Sequence, residues 1–122
     1  MAFDDDATHR DMRATLTATP QLELRHEDGG AHHTLVLIGE LDVASAPLLE
    51  AALRRIGTNA AETITLDLSG LTFMDSAGLR VVLVARELCD GLGCELQLVP
   101  GSGQIQRLFE VTGLLDQLPF RG

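Results

Sequence analysis

Residues Thr63 to Arg80 read TITLDLSGLTFMDSAGLR, and this stretch decides the fold. Ile64, Leu66 and Leu68 alternate with Thr65, Asp67 and Ser69, the period-two pattern of a half-buried strand. Gly70 is expected to end that strand. Further on, Leu79, Val82 and Leu83 fall at helical spacing, and either Asp75 or Ser76 suits the N-cap of the helix they begin. A serine at a helix N-terminus meets unpaired backbone N–H groups and the positive end of the helix dipole, a favourable place to carry a phosphate.

Upstream, Leu22 and Leu24 alternate with charged neighbours and predict a first strand, with His26 continuing the pattern. Asp28-Gly29-Gly30 is a turn, and Thr34 to Gly39 is a denser apolar run that reads as a strand buried on both faces. The two are expected to pair as a hairpin. After Gly39-Glu40-Leu41-Asp42, Ser45 is placed to cap a helix with Pro47 in its first turn. Leu48, Leu49, Ala52, Leu53 and Ile56 then form one apolar stripe that Gly57 closes. Downstream of the opening stretch, Asp90 to Gly93 ends the second helix and Glu95 to Val99 is a further strand. Ser102 to Val111 carries a third helix, and Leu114 to Leu118 a last helical turn. The order is ββαβαβα. Strands separated by helices imply parallel, right-handed crossovers. The fold class expected is therefore α/β: one mixed sheet of four or five strands with helices packed against it. Residues 1–19, polar and carrying Asp4-Asp5-Asp6, read as a flexible tail ahead of a single domain over 20–122.

Composition excludes several functions. The 122 residues are 45% hydrophobic and 22% charged, with a net charge of −9. That acidity opposes binding to nucleic acid or an anionic membrane surface, and four Phe with no Trp or Tyr leave few platforms for stacking bases. No run is long and apolar enough to cross a membrane, and the acidic N-terminus does not resemble a signal peptide. A cytoplasmic location is expected. Cys89 and Cys94 lack the spacing of a redox or zinc pair and read as small hydrophobes. His32-His33 reads as a solvated loop beside the turn, so neither a metal nor a cofactor is expected.

Ser76 could be a nucleophile, since a serine on a strand-to-helix turn is also found in hydrolases with the GxSxG elbow. Here Met74-Asp75-Ser76-Ala77-Gly78 keeps only the second glycine. The four histidines, His9, His26, His32 and His33, all precede the third strand, where no hydrolase of that class places its base. Gly101-Ser102-Gly103 lacks the following Lys-Ser/Thr of a phosphate loop, and the chain has no lysine at all. It reads as a glycine-rich turn into a helix. Asp67 points outward from mid-strand, whereas Asp42 and Asp75 stand where strands deliver residues to one sheet edge.

The run Leu66-Asp67-Leu68-Ser69-Gly70-Leu71, followed by Phe73-Met74-Asp75-Ser76-Ala77-Gly78-Leu79, resembles the signature of STAS domains, in particular of bacterial anti-anti-sigma factors. Gly39-Glu40-Leu41-Asp42 resembles the second motif of that family at the right distance upstream. The resemblance covers roughly Gln21 to Leu118 by element order. It implies a regulatory binding module rather than an enzyme. In proteins of this kind the serine matching Ser76 is phosphorylated by an anti-sigma factor that is itself a serine kinase. The unphosphorylated form binds that anti-sigma factor and releases its sigma factor; a serine phosphatase resets the cycle. The implied partner-binding set is Asp42, Asp75, Ser76, Ala77, Gly78 and Leu79. A small STAS subunit of a lipid-transport ABC complex is the alternative within the family, and a serine hydrolase the alternative outside it.

Overall fold

Five strands form one sheet in the spatial order β1-β2-β3-β4-β5. They are β1 Arg13–Ala18, β2 Leu22–Gly29, β3 His32–Leu41, β4 Thr63–Met74 and β5 Glu95–Val99, interleaved after β3 with the helices α1 Ala46–Gly57, α2 Ser76–Leu92 and α3 Gly103–Val111. This computed structural model describes residues 13–57 and 60–121. The pairs β1–β2 and β2–β3 are antiparallel, while β3–β4 and β4–β5 are parallel, each parallel pair joined through a helix.

The alternation seen in the sequence sorts the two faces of the sheet. Leu22, Leu24, Leu35, Leu37, Ile64, Leu66, Leu68, Leu96 and Leu98 are buried and join the inward residues of the helices in one core. Burying each such leucine stabilises the fold by about 1.5–3 kcal/mol before entropy is counted. The other parity of β3, which includes Val36 and Ile38, is half-buried. The strand is therefore fully covered on one face, not on both as its apolar density suggested: β-branched residues can line an open face as well as a covered one.

Two further differences from the sequence reading have local causes. β4 runs through Gly70 to Met74 because it absorbs extra residues as bulges. Between Val36↔Asp67 and Ile38↔Gly70 it carries one residue more than β3, and between Gly39↔Leu71 and Glu40↔Phe73 one more again. Asp67 serves the first bulge, its carboxylate accepting from the Ser69 amide at 2.9 Å and the Ser69 hydroxyl at 2.6 Å. The expected tail over 1–19 is also shortened, since Arg13–Ala18 is an edge strand in register with β2, Thr17 opposite Leu24. Leu16 on it stays 60% exposed, so backbone pairing rather than apolar burial holds the strand, and periodicity could not announce it. The remainder of that tail, residues 1–12, lies outside the described residues.

At the opposite edge the chain end closes β5. The Leu98 amide donates to the Pro119 carbonyl at 3.1 Å and the Arg121 amide to the Leu98 carbonyl at 2.9 Å. Phe120 sets its ring edge-on to the buried Phe109, 4.9 Å between centroids. The expected last helical turn is a single 3-10 turn, Leu115–Gln117.

Gly39 has φ +112°, and a Cβ there would lie 2.3 Å from the Gln21 carbonyl oxygen. Both the left-handed backbone and the contact exclude a side chain. Gly39→Ala is expected to lower unfolding free energy by about 2–4 kcal/mol, read as an earlier urea midpoint at unchanged slope.

Candidate functional site

Two strand ends and two helix starts meet at one edge of the sheet. In the parallel register Leu41 of β3 lies opposite Met74 of β4, so the next residues, Asp42 and Asp75, leave the sheet side by side. The Asp75 amide donates to the Leu41 carbonyl at 3.3 Å, which ties the two exits together.

Each aspartate organises the helix it precedes. The Asp42 carboxylate accepts from the Ala44 and Ser45 amides, both at 3.0 Å, and the Ala46 amide donates to its carbonyl at 2.7 Å. Ser45, expected to cap α1, is instead fully buried behind this turn. Its hydroxyl donates to the Glu40 carbonyl at 2.8 Å and accepts from the Asp42 amide at 3.0 Å. The turn needs a group that bonds backward to the strand end, and the short hydroxyl reaches it. For α2 the N-cap is Asp75, extended at φ −115°, ψ −167°, with its carboxylate accepting from the Ala77 and Gly78 amides at 2.9 and 3.3 Å. Ser76 is then the first helical residue, and it is exposed.

Of the residues singled out by sequence, Asp42, Asp75, Ser76 and Ala77 gather at this edge with at least part of their surface open. Gly78 and Leu79 are buried. A Cβ on Gly78 would lie 2.7 Å from Met74 Cγ and 2.8 Å from the Leu41 carbonyl oxygen, so glycine lets α2 start directly against the strand ends. Leu79 is in the core, as are Leu71 and Met74; Phe73 alone of that apolar group is exposed.

The starts of α1 and α2 flank an open groove of about 650 Å³, with Ser76 and Ala77 on one wall and Val43, Pro47 and Glu50 on the other. Arg80, one helical turn beyond Ser76 and on the same face of α2, also lines it, as does Arg54, whose guanidinium donates to Glu50 at 2.8 Å. Sequence reasoning missed Val43, which is 74% exposed. The available signal was an apolar residue inside a turn, between Asp42 and Ser45, with no place in either apolar stripe.

No described histidine approaches Ser76. His32 and His33 begin β3, whereas Asp42 follows its other end, roughly 30 Å away along a ten-residue strand. His26 faces Leu35 from β2, near the same hairpin end. The solvated loop expected of His32-His33 is not what forms. Both residues lie in β3, so their side chains point to opposite faces: His32 is exposed and bonds Thr63 Oγ1 at 2.8 Å, while His33 is 3% exposed. His33 Nδ1 lies 2.9 Å from His26 Nε2 and 3.7 Å from an Asp28 carboxylate oxygen. Burial pushes the His26 imidazole below its ordinary value; His33 and, more weakly, Arg55 act in the same direction, and Asp28 opposes them. The cysteines are unpaired. Burial, aided by a hydrogen bond with Cys94, pushes the Cys89 thiol up to about 12, so it stays a neutral core residue.

An α/β module with one covered sheet face, presenting a serine at a helix start beside two turn-forming aspartates, is thus the class that fold and site define. The chain belongs to the STAS domain family, whose model matches residues 22–121. It is 33% identical over 95 residues to the anti-sigma-B factor antagonist of Listeria monocytogenes, covering 78% of this chain and 82% of that one. Against the anti-sigma-B factor antagonist of Staphylococcus aureus it is 36% identical over 78 residues, 64% of this chain and 72% of the other. Its fold is similar to that of SpoIIAA, an anti-sigma factor antagonist of Bacillus solved in its unphosphorylated form, with TM-score 0.66 and 21% identity over 90% of this chain and 89% of that one. No helix among the described residues is long and apolar enough to cross a membrane.

Two outcomes are expected from these geometries. Asp75→Ala removes a capping acceptor and should cost about 1 kcal/mol in chemical denaturation, with Asp75→Asn recovering most of it. Because folding favours neutral His26, the unfolded chain binds the proton more tightly. Stability should be full above about pH 7 and decline as pH falls through the ordinary histidine range near 6.5. Melting temperatures measured across that range in a chelating buffer check this, and His26→Gln should flatten the slope.

Proposed function

We propose that this chain is an anti-sigma factor antagonist whose binding state is set by phosphorylation of Ser76. The unphosphorylated edge, made of the Asp42 turn, Val43, Asp75, Ser76 and Ala77, docks on an anti-sigma factor and so frees the sigma factor held there. The anti-sigma factor acts as the serine kinase, transferring a phosphoryl group from ATP to Ser76 Oγ with loss of the hydroxyl proton, and a serine phosphatase hydrolyses the phosphoserine to reset the cycle. Gly78 and Leu79 contribute by position, since both are buried.

The observation that carries this reading is the placement of Ser76. It is the first residue of α2, exposed, and relieved of capping because the Asp75 carboxylate already takes the Ala77 and Gly78 amides. A serine needed as a cap would have its oxygen engaged; this one is open to a kinase. Phosphate would add about −1.5 to −2 charges. The helix dipole and Arg80 one turn away favour that charge locally, so the fold keeps its shape. A partner surface that accepts a neutral hydroxyl would instead face an unpaired anion, next to Asp75, as it loses its water.

Incubation with candidate anti-sigma kinases and ATP, followed by mapping of the phosphate by mass spectrometry, should place it on Ser76. In titration calorimetry Ser76→Ala should bind the kinase within a few-fold of the unphosphorylated protein. Ser76→Asp should bind at least about 30-fold more weakly, a difference of about 2 kcal/mol, while its melting temperature stays within a few degrees of wild type. Wild-type affinity in Ser76→Asp would sink the switch, and co-purification with a membrane ATPase in place of an anti-sigma factor would point to the transport subunit instead.

A further inference from the structure

We propose that the hairpin end of the sheet is a binding site for a divalent transition-metal ion of the zinc type, with His26 Nε2, His33 Nδ1 and an Asp28 carboxylate oxygen as ligands. The three residues come together through strand register. Asp28 lies opposite His33 across the antiparallel β2–β3 pair, and His26 is two residues from Asp28 on the same strand, so all three side chains leave one face. Their ligand atoms all lie within 4.8 Å of one another.

The spacing suits a shared ion. Two ligands at ordinary zinc distances in a tetrahedral shell stand about 3.3 Å apart. The two separations here, 2.9 Å between the imidazoles and 3.7 Å between His33 and Asp28, fall on either side of that value. Asp28 and His26 are half-exposed and leave an entry path; the Asp28 oxygen also accepts from the Gly30 amide at 2.9 Å and so is held in the turn, while His33, 3% exposed, sits in the core. Two imidazoles and one carboxylate form a borderline nitrogen-rich set that fits zinc, cobalt or nickel better than magnesium or calcium. The remaining coordination positions fall to water.

Two features set the strength. His33 Nε2 is buried without a hydrogen-bond partner, and with Nδ1 on the metal it must carry the ring proton there. Metal-binding histidines usually anchor that second nitrogen, and its lack of an acceptor weakens the site. Arg55 also acts electrostatically on His26, and its positive charge opposes a cation. Both lower the affinity relative to a site whose second nitrogen is anchored and whose surroundings carry no positive charge. The site is at the far end of β3 from Asp42, so an ion there would tie β2 to β3 without occupying the Ser76 groove.

Titration of the full chain with zinc chloride by calorimetry, and with cobalt chloride by absorption, tests this. One equivalent should bind, the melting temperature should rise with added zinc, and nitrogen NMR should report shifts at His26 Nε2 and His33 Nδ1. His26→Gln and, as a second variant kept exposed to solvent, Asp28→Asn should each weaken zinc at least tenfold. His32→Gln, on the opposite face, and His9→Gln should change it less than twofold. Binding only at millimolar zinc, affinity unmoved by His26→Gln and Asp28→Asn, or a cobalt thiolate band lost in Cys94→Ser would each overturn the assignment.

Discussion

The parallel pairing of β3 with β4 is the constraint on which the rest of the molecule depends. Parallel neighbours end at the same edge, so each delivers its next residue to the same place. Here the last register pair, Leu41 and Met74, makes neighbours of Asp42 and Asp75 although 32 residues of chain (75 − 42 − 1) separate them. An antiparallel pairing would have sent one of them to the hairpin end with the histidines. The pairing also brings the Leu41 carbonyl within reach of the Asp75 amide and leaves so little room above it that only glycine fits at position 78. Strand pairing, helix entry and exposure of Ser76 are thus one arrangement. A change that moved β4 against β3 by one residue would reverse the faces of Ile64, Leu66 and Leu68 and carry Ser76 with them.

Much of this could be read from the chain because the signals were local. The alternation in β4, the stripe of α1 and the glycine stops of both long helices each depend on neighbours within a few residues. The edge position of Asp42 and Asp75 followed from the βαβ order alone. What escaped reading depended on pairing between distant segments. β1 is paired to β2 through its backbone, and Leu16, Thr17 and Ala18 on it are exposed, so no buried stripe announces it. Gly70 breaks a strand in isolation, but here β3 on one side holds β4 through two bulges. His33 shows the same limit in the candidate sites. Beside Gly29-Gly30 and another histidine it reads as loop, yet the register of β2 and β3 turns it inward to meet His26 and Asp28. Cross-strand contact cannot be inferred until the register is known.

The two ends of the sheet consequently differ in kind. At the Ser76 end, the carboxylates of Asp42 and Asp75 are spent on backbone amides of their own turns, which leaves the hydroxyl as the group free to change. At the hairpin end, the polar atoms face one another, and one ring nitrogen has no partner. Buried polar groups are costly unless satisfied, and a cluster that stores such a cost is suited to accept a ligand or to lose stability on protonation. An exposed hydroxyl on a helix start stores none. It can gain or lose a phosphate with little effect on folding.

That separation bears on how a small domain can work as a switch without changing shape. Its stability margin is only about 5–15 kcal/mol, so a signal that had to refold the core would risk unfolding it. A phosphate on the first residue of α2 avoids the core altogether. Its charge would meet the helix N-terminus and the positive charge of Arg80 one turn on, each worth about 0.3–1 kcal/mol at an exposed site. In the proposed complex those same groups would be unable to serve the phosphate fully, because a partner covering the groove would remove water that solvated the remaining charge. On the function proposed above, the cost of the modification would therefore fall on the complex and not on the free protein. Exposure of Ser76, and the prior engagement of its neighbouring carboxylates, are the features that would make that division possible.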